Sequence, residues 1–489
     1  MSDARPHVGL IGLAVMGENL ARNIVRNGFP LVVYNRTLSV TETFLATYGD
    51  EGMIGAATLP EFVAALAAPR QIILLVKAGP AVDAVLSELK PLLDPGDIVI
   101  DGGNSYYKDT ERREAEMTAA GYQFVGMGVS GGEVGALLGP SLMPGGPREA
   151  YDALEPMLMA IAAKSQYGPC VSYIGPGGSG HYVKMVHNGI EYGDMQLIAE
   201  TYDVMRTALG LSAPDMAAVF SIWNTRALAS YLIEVTADVL SYEDRETGRP
   251  LVDVILDSAE QKGTGRWTSQ SALELGSPIP TIDAAVTARI LSAQRALRLQ
   301  ASEVLRGPMP PGDDSVARTM LDGDADREKE YRTLESALYF AKISSYAQGM
   351  ALLSAASSMH NWNLDLAEIA RIWTAGCIIR ADFLADIMRA YRQDAALPNL
   401  LLDPHIARLS DANVPGARRM IATARAWGVP VPGTSSALDY FDTLRQPSLP
   451  ANLIQAQRDY FGAHTYQRTD REGIFHTVWH EEAEPVKLH

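Results

Sequence analysis

Several features are scarce in this chain of 489 residues, and each absence excludes a class of protein. Only two cysteines occur, Cys170 and Cys377, so a disulfide framework is not expected and a reducing compartment is favoured, although one bond between them stays open. No apolar run approaches the ~18 residues that span a membrane. The first residues lack the apolar core of a signal peptide, so we expect a cytoplasmic protein.

Positive charge is also scarce, since 41 lysines and arginines stand against 58 acidic residues and the formal net charge is −17. Such a surface argues against nucleic acid or an anionic membrane as a partner. An anionic small ligand would need positive side chains that are gathered locally. Clusters of lysine, arginine and histidine are therefore the informative features to look for.

The first 175 residues or so alternate short apolar segments with helical stretches. Strands are predicted at 7–11, 31–34, 71–76, 97–100, 122–125 and 171–174. Helices are predicted between them, the first at 13–27. Strands separated in this way predict a parallel sheet with crossover helices. A glycine-rich segment at 175–180 is the clearest boundary in the chain.

Beyond this boundary the apolar pattern has a helical period of 3.6. Helices are predicted at 181–209, 214–240, 283–305, 330–359, 365–392 and 415–427. An exposed loop is expected at 306–327, a further boundary near 430–433, and an extended polar tail from about residue 467. The predicted architecture is therefore an α/β N-terminal domain at 1–178, a large all-α domain at 179–433, and a C-terminal segment and tail at 434–489.

The turn after the first predicted strand is a Gly-x-Ala-x-x-Gly variant of the dinucleotide fingerprint. It consists of Gly12, Leu13, Ala14, Val15, Met16 and Gly17. The first glycine permits a tight turn, the small alanine lets a pyrophosphate approach the backbone, and the last glycine lets the helix pack on the sheet. A plain tight turn is the alternative. Because the motif follows a strand and opens a helix, it predicts a Rossmann-type domain.

The end of the second predicted strand indicates which dinucleotide is bound. Sites that prefer NAD usually place an acidic residue there, but this chain has Asn35, Arg36 and Thr37. Arg36 can pair with a 2′-phosphate, which a carboxylate would repel, and its neighbours can donate hydrogen bonds. The sequence therefore favours NADP, with an ordinary surface arginine as the alternative.

Three later loops offer small or polar residues where ligands bind in open α/β sheets. Their candidate residues are Val76, Lys77, Ala78, Asn104, Ser130, Gly131 and Gly132. Asn104 follows two glycines that let the chain turn and aim the amide into a crevice. Ser130 precedes two glycines whose backbone amides suit a carboxylate. Each loop alone could be an ordinary turn, but several in one α/β half indicate a binding site.

Residues 183–194 form the most informative stretch of the chain. At helical spacing, four polar side chains fall on one face: Lys184, His187, Asn188 and Glu191. Two proton-transfer groups with hydrogen-bonding groups between them are what proton abstraction and reprotonation of a carbon require. Gly189 and Gly193 each cost a helix ~1 kcal/mol relative to alanine, which indicates a close approach by a ligand or a neighbouring element. The alternative is a solvated polar face.

Taken together, the motifs carry a family resemblance. The segments concerned are 9–20, 35–37, 76–79, 101–104, 130–146, 183–194, 261–268 and 455–466. Over essentially its whole length the chain resembles the 6-phosphogluconate dehydrogenase family, the decarboxylating enzymes of the pentose phosphate pathway. The glycine-rich turn is shared with other β-hydroxyacid dehydrogenases, whereas 261–268 and 455–466 are peculiar to the decarboxylating enzymes.

The resemblance implies a reaction and two catalytic residues. The family converts 6-phospho-D-gluconate and NADP+ to D-ribulose 5-phosphate, CO2 and NADPH without a metal. The lysine matching Lys184 takes the proton of the 3-hydroxyl as hydride leaves C3, and the glutamate matching Glu191 protonates C1 of the enediol. A free lysine has a pKa of about 10.4, so a base that works near neutrality needs its pKa lowered by burial or neighbouring charge.

The resemblance also implies the ligand contacts. NADP would contact the Gly12–Gly17 turn, Asn35, Arg36, Thr37, Val76, Lys77, Ala78 and Asn104. The sugar acid would contact Asn104, Ser130, Gly131, Gly132, His187 and Asn188. The 6-phosphate would be held by Tyr192, Lys262, Arg289, Arg458 and His464.

In family members the C-terminal segment reaches into the partner subunit's site, so the resemblance implies a homodimer with tail-exchanged active sites. Two other functions remain open at this stage. One is an NADP-dependent β-hydroxyacid dehydrogenase that does not decarboxylate. The other is a non-catalytic NADP-binding regulator, which would have no need of Lys184 and Glu191 seven residues apart.

Overall fold

A computed structural model describes residues 5–308 and 324–479. By its internal contacts the chain divides into two compact units, Met1–Leu438 and Asp439–His489. Across the described residues, no helix is both long enough and apolar enough to cross a membrane.

The first unit begins with a sheet that has seven strands among the described residues. The strands are β1 Val8–Ile11, β2 Leu31–Tyr34, β3 Ile54–Gly55, β4 Gln71–Leu74, β5 Ile98–Asp101, β6 Gln123–Ser130 and β7 Ser141–Gly145. Their order is β3-β2-β1-β4-β5-β6-β7. The first six strands are parallel, as predicted, and β7 runs antiparallel to β6. A small hairpin follows, formed by β8 Lys164–Ser165 and β9 Gly168–Pro169.

Seven α-helices lie among these strands within the described part of the chain. They are α1 Val15–Arg26, α2 Leu38–Tyr48, α3 Leu59–Ala65, α4 Pro80–Leu89, α5 Tyr107–Ala119, α6 Gly132–Leu138 and α7 Arg148–Ile161. The central strands are short apolar runs that are buried along their length, as expected for a sheet covered on both faces. One core packs under α1 and α7 through Leu20 and Leu154. The other packs under α3 and α4 through Phe62 and Leu86.

The strands differ from the prediction at three places. The predicted strand at 171–174 makes only an isolated bridge, between Val171 and Leu142. The antiparallel strand β7 was missed because its sequence contains Pro144 and Gly145, two residues that are depleted in strands. The two-residue strand β3 was also missed, since it is too short to show a period.

After residue 178 the first unit is helical, as predicted. The helices are α8 Ser179–Ala208, α9 Ala213–Trp223, α10 Tyr231–Ser241, α11 Thr264–Leu275, α12 Pro280–Ala293, α13 Arg295–Val304, α14 Asp324–His360, α15 Leu366–Ile372, α16 Leu384–Gln393, α17 Pro404–Ala426 and α18 Pro432–Leu444. The last of these continues past the boundary between the two units.

Several predicted helix boundaries were wrong. The stretches predicted at 214–240, 283–305 and 365–392 are each divided into two helices. Helix α17 begins at Pro404, eleven residues before the predicted start, and contains Pro415 in its interior. Of the loop predicted at 306–327, residues 306–308 are exposed coil, 309–323 lie outside the described residues, and α14 already begins at Asp324.

Helix α8 is the central element of the helical region and is buried along most of its length. It packs on β6 and β7 at its start, and on α11, α12 and α14 further along. Its glycines allow these approaches. A Cβ on Gly189 would lie 2.7 Å from the Thr268 side chain of α11, and a Cβ on Gly193 would collide with Ser345 of α14. The close neighbours predicted from the two glycines are therefore adjacent helices.

The second unit contains helix α19, Ala451–Gly462, and the residues that follow it. The tail was predicted to be extended from about residue 467. It folds back instead, because Tyr466 and Phe475 form an antiparallel bridge with two backbone hydrogen bonds of 2.8 Å. The residues between them make a polar turn, which explains the lack of periodicity in the sequence.

Candidate active site

The glycine-rich turn joins β1 to α1 at the carboxyl edge of the sheet. Gly12 has φ +102°, and any Cβ there would collide with the carbonyl of Leu75. A Cβ on Gly17 would collide with the carbonyl of Gly12. Both glycines are thus required by the geometry of the turn. Ala14 is exposed at the first turn of α1, where backbone amides and the helix dipole favour an anion.

The residues after β2 lie beside this turn. The amide of Leu13 donates to Asn35 Oδ1 at 3.2 Å, which joins the glycine-rich turn to the end of β2. Asn35 Nδ2 donates in turn to the carbonyl of Thr37 at 3.2 Å. Arg36 is exposed on this loop. The contact of Arg36 with a 2′-phosphate therefore stays a prediction.

Two of the other predicted loops continue from the same edge of the sheet. The loop after β4 contains Val76, Lys77 and Ala78, and the loop after β5 contains Asn104. Since β1, β4 and β5 are adjacent and parallel, their carboxyl ends meet, at the point where ligands bind in such sheets. Asn104 is exposed, and Asp101 shapes its loop by accepting from the amide of Gly103 at 3.0 Å and from Ser105 Oγ at 2.6 Å.

Arg113 is a residue that sequence reasoning missed. It is 1% exposed, and it donates from Nε to Asp83 at 2.8 Å and from Nη2 to the carbonyl of Gly79 at 3.0 Å. Its Nη1 lies 3.5 Å from Asp101 Oδ2. The side chain therefore ties the loop after β4 to the loop after β5. No signal marked it, because an arginine in a charged helical stretch is expected to be solvated.

Helix α8 brings its predicted face against the end of β6. Gly128 of β6 has no side chain, and a Cβ there would collide with Lys184, so the glycine makes room for the lysine stem. Two residues further on, Ser130 Oγ lies 3.2 Å from His187 Nε2. The following Gly131 has φ +117° and packs against the backbone of Gly376. A Cβ on Gly131 would lie 2.6 Å from the carbonyl oxygen of Gly376.

The polar face of α8 is buried and internally hydrogen-bonded. Lys184 is 6% exposed and His187 is fully buried. His187 Nδ1 lies 3.0 Å from Asn188 Oδ1, an acceptor, so Nδ1 carries a proton and Nε2 accepts from Ser130. Lys184 Nζ lies 3.4 Å from the same Nδ1. Since Nδ1 is a donor, this contact is favourable when Lys184 is a neutral amine.

Glu191 completes the cluster one turn beyond His187. Its Oε2 lies 3.9 Å from His187 Nδ1, and 22% of its side chain is exposed. Asn188 donates from Nδ2 to Thr264 Oγ1 of α11 at 3.3 Å, which fixes the amide between the histidine and the neighbouring helix. The structure therefore brings Ser130, Lys184, His187, Asn188 and Glu191 together, as the helical spacing predicted for the last four.

Burial shifts the pKa values of the two proton-transfer groups, Lys184 and Glu191, in opposite directions. It lowers the pKa of Lys184, although the charges of Glu191 and Cys377 oppose the change. It raises the pKa of Glu191, although Lys184 and Arg289 act against this. Burial, with the nearby charge of Lys184, also lowers the pKa of His187 well below its usual value. Each shift thus acts in the direction of a neutral amine, a neutral imidazole or a protonated carboxyl, the forms that a base and an acid need.

The predicted phosphate ligands of the first unit lie on neighbouring elements. The guanidinium of Arg289 on α12 stacks over the ring of Tyr192 at 3.5 Å from the centroid. A Cβ on Gly265 of α11 would lie 2.5 Å from the same ring. Lys262 is exposed in the loop that precedes α11. Tyr192 is therefore held between α11 and α12.

The remaining predicted phosphate ligands, Arg458 and His464, belong to the second unit. Both are exposed, Arg458 on α19 and His464 just after it. As for metal ligands, no group of three or more His, Cys, Asp or Glu side chains in the described parts of the chain could hold an ion.

A parallel sheet with this glycine-rich turn, beside a buried lysine and carboxyl on one helix face, defines a dinucleotide-dependent dehydrogenase. Comparison with known proteins gives the particular family. A family model described as the NAD binding domain of 6-phosphogluconate dehydrogenase matches residues 7–175. A second, described as the C-terminal domain of 6-phosphogluconate dehydrogenase, matches residues 180–479. This chain belongs to the 6-phosphogluconate dehydrogenase family.

Individual relatives agree over nearly the whole length. The decarboxylating 6-phosphogluconate dehydrogenase of Synechococcus elongatus is 57% identical over 474 residues, which are 96% of this chain and 98% of the relative. The NADP(+)-dependent decarboxylating enzyme of Bacillus subtilis is 54% identical over 477 residues, 97% of this chain and 99% of the relative. The solved structure of Plasmodium falciparum 6-phosphogluconate dehydrogenase is 46% identical, with a TM-score of 0.90, and covers 96% of this chain and 100% of that one.

Proposed function

We propose that this protein catalyses the oxidative decarboxylation of 6-phospho-D-gluconate by NADP+, which yields D-ribulose 5-phosphate, CO2 and NADPH. The observation that carries the proposal is the buried cluster of Lys184, His187 and Glu191 on one face of α8, facing Ser130 at the end of β6. The family relationship supplies the substrate and the cofactor, since the Bacillus relative is NADP(+)-dependent and the Plasmodium enzyme is described in its apo form, in complex with its cofactor NADP+ and in complex with its substrate 6-phosphogluconate.

The residues present fit NADP. The turn from Gly12 to Gly17 leaves the first amides of α1 exposed for a pyrophosphate, and Arg36 offers a positive group for the 2′-phosphate. Asn35, Thr37, Val76, Lys77, Ala78 and Asn104 complete the proposed cofactor contacts. When bound, the cofactor supplies a hydride acceptor. The remaining chemistry belongs to the side chains of this chain.

Lys184 acts as the base in the first step. Its neutral amine takes the proton of the 3-hydroxyl while the hydride leaves C3, which produces a β-keto acid and an ammonium. The ammonium then stabilises the negative charge that develops on the 3-oxygen as CO2 is lost. His187 is held by Ser130 and Asn188, and its ring lies 3.4 Å from Lys184 Nζ, where it positions the amine and leaves the nitrogen lone pair free for the hydroxyl proton.

Glu191 acts as the acid in the last step. Loss of CO2 leaves an enediol, whose C1 takes the proton of the Glu191 carboxyl while the 3-oxygen returns its proton to Lys184. The raised pKa of Glu191 supports this role, because a carboxyl with an ordinary pKa would hold no proton near neutrality. Its 22% exposure provides a route by which it is reprotonated.

We propose the remaining substrate contacts by family match. Asn104, Ser130, Gly131, Gly132, His187 and Asn188 bind the sugar acid. Tyr192, Lys262, Arg289, Arg458 and His464 bind the 6-phosphate. Cations that bind the phosphate in this way would offset the overall charge of −17, which otherwise repels an anionic substrate. The first domain, 1–178, would bind NADP, and 179–433 would bind the substrate and form the dimer.

The active form is proposed to be a homodimer whose C-terminal segment, 434–489, contributes to the partner subunit's site. Exposed apolar side chains on α12 and α13 support an interface: Ile290 42%, Leu291 51%, Leu297 57%, Leu299 51% and Val304 76%. The second unit exposes Leu453 at 62% and Phe461 at 72%. Light scattering at assay concentration should give twice the chain mass of 52.8 kDa, and a monomer that is fully active would contradict tail exchange.

A reducing, cytoplasmic location fits the two thiols. Cys170 and Cys377 are both free and buried, and burial raises the pKa of the Cys377 thiol to about 12. Such a thiol stays protonated and unreactive.

Two assays on the purified protein test the proposed reaction. NADPH formation from 6-phosphogluconate and NADP+ tests turnover, and release of labelled CO2 from substrate labelled at C1 tests decarboxylation. One CO2 per NADPH is expected. NADPH without CO2 would indicate a simple β-hydroxyacid dehydrogenase, and neither product would indicate a non-catalytic NADP-binding protein. Replacement Glu191→Gln should lower both rates by ~10²-fold or more, the scale of a positioned proton-transfer group.

A further inference from the structure

The loop that carries His464 has an unusual backbone. Ala463 has φ +49° and Thr465 has φ +60°, so His464 lies between two non-glycine residues in the left-handed region. Such a backbone persists only where its surroundings hold it. Two side chains of α19, from Asp459 and Gln455, provide those restraints.

The carboxylate of Asp459 is the first restraint. It is fully buried and accepts four hydrogen bonds, from the backbone amides of Thr465 and Thr477, each at 3.0 Å, from His476 Nδ1 at 2.8 Å and from Trp479 Nε1 at 2.9 Å. Burial alone would raise the pKa of Asp459, but these hydrogen bonds lower it to about 2. The group is therefore a carboxylate over the whole range in which the enzyme would be assayed.

The side chain of Gln455 is the second restraint. It donates from Nε2 to the carbonyl of Thr465 at 2.5 Å, and its Oε1 accepts from Arg458 Nη1 at 3.0 Å. One amide thus joins the guanidinium of Arg458 to the residue that follows His464. The ring of His464 also packs on Phe461, 6.2 Å between centroids.

We propose that Asp459 is a positioning residue that folds 463–479 back onto α19, so that Arg458 and His464 are preorganised as one binding site for a phosphate group. The inference rests on the proposed function, which makes these two cations ligands of the substrate's 6-phosphate. The side chains of Arg458 and His464 are both exposed and can rotate, so without restraint they would lose conformational freedom when the phosphate binds. Restraint by Asp459 removes much of that loss before the substrate arrives.

The test is a kinetic comparison of single variants of the full-length protein. Asp459→Asn keeps the shape but replaces one acceptor oxygen by a donor amide and removes the charge. We expect the KM for 6-phosphogluconate to rise about tenfold, with kcat within about twofold and the KM for NADP+ unchanged. The inhibition constant of inorganic phosphate, competing with 6-phosphogluconate, should rise by the same factor. A residue that matters only for folding would not separate these quantities.

Asp470→Asn is the matched control. Asp470 is an exposed carboxylate of the same tail that pairs with Arg468 at 2.7 Å, and its replacement should leave every constant unchanged. A second variant, Gln455→Ala, leaves the carboxylate in place and should raise the KM for 6-phosphogluconate about threefold. It decides the question if circular dichroism shows that Asp459→Asn does not fold.

The outcomes separate this inference from the proposed function. A wild-type protein without turnover of 6-phosphogluconate would overturn the proposed function itself. A wild-type protein with turnover, together with an Asp459→Asn variant of unchanged KM and phosphate inhibition, would overturn only the positioning role. A folded Asp459→Asn variant that loses kcat and affinity for both 6-phosphogluconate and NADP+ would also overturn the positioning role. Where only Gln455→Ala can be measured, an unchanged KM overturns the role.

Discussion

Replacement of Lys184 by methionine tests whether the buried amine is catalytic or merely structural. Methionine has a similar length and no charge, so it can occupy the space of the lysine stem beside Gly128 while it removes the base. A positioned proton-transfer group accelerates its step by ~10²–10⁴-fold, which corresponds to roughly 2.7–5.4 kcal/mol of barrier. We expect kcat for NADPH formation to fall within that range. The matched control, Lys164→Met, removes an exposed lysine and should be neutral.

The stability of the Lys184→Met variant should rise, whereas its activity should fall. Because burial lowers the pKa of Lys184, the folded state disfavours its proton, and below the unfolded pKa of ~10.4 the lysine destabilises the fold. This cost disappears as the pH rises past that value. Lys184→Met should therefore melt at a higher temperature than the wild type at pH 7, with a gain that shrinks toward pH 10. The combination of lower activity and higher stability is typical of a functional group in a strained site.

The wild-type pH profile provides a second measure of the same group. Lys184 must be neutral to accept a proton, so kcat/KM should decline on the acid side of its lowered pKa, and this limb should be absent from any residual activity of Lys184→Met. Turnover of Lys184→Met within tenfold of the wild type would refute the assignment. A variant that loses activity and stability together would show that the lysine has a structural role.

Three further predictions concern the cofactor site and the packing. Arg36→Ala should raise the KM for NADP+ about tenfold or more and hardly change that for NAD+, and an equal change for both would contradict a 2′-phosphate contact. Burial, with the charge of Glu111, raises the pKa of Glu114 to about 7, so this carboxyl destabilises the fold as the pH rises from ~4 to ~7. In urea unfolding, Glu114→Gln should therefore have the same free energy of unfolding as the wild type at pH 4. At pH 8 its free energy of unfolding should be higher by roughly 1 kcal/mol, allowing for solvent screening. An equal effect at both pH values would contradict the raised pKa. Gly189→Ala should cost ~1–3 kcal/mol, because its Cβ would lie 2.7 Å from Thr268 Cγ2, and Thr268→Ser, which lacks that methyl group, should recover part of the loss.

The sheet and its ligand edge could be predicted from the sequence because they depend on local patterns. The apolar runs of β1, β2, β4 and β5 are short and bounded by turn residues, and the glycine-rich turn encodes its own geometry in Gly12 and Gly17. The common face of Lys184 and Glu191 follows from helical spacing alone. The turn geometry and the common helix face do not depend on how the helix and the sheet pack against the rest of the protein.

Features that depend on tertiary contacts could not be predicted in the same way. Strand β7 contains Pro144 and is formed by pairing with β6. The buried Arg113 connects two loops that the sequence separates by about twenty residues, and its own neighbours are charged. His187 packs edge-on against the ring of Trp373, 5.5 Å between centroids, and that tryptophan comes from a distant part of the chain. The sequence indicated a polar stripe, but only the fold shows that most of the stripe is buried.

The burial of that stripe determines its chemistry. Lys184 and Glu191 attract one another as ions, and that attraction raises the pKa of the amine and lowers that of the carboxyl. Burial acts on both groups in the opposite sense and is the larger effect. The two pKa values therefore move toward each other, which makes the state with a neutral amine and a protonated carboxyl less costly than it would be in water. A solvated lysine and glutamate at the same spacing would remain an ion pair, which could neither take the hydroxyl proton nor give one to carbon.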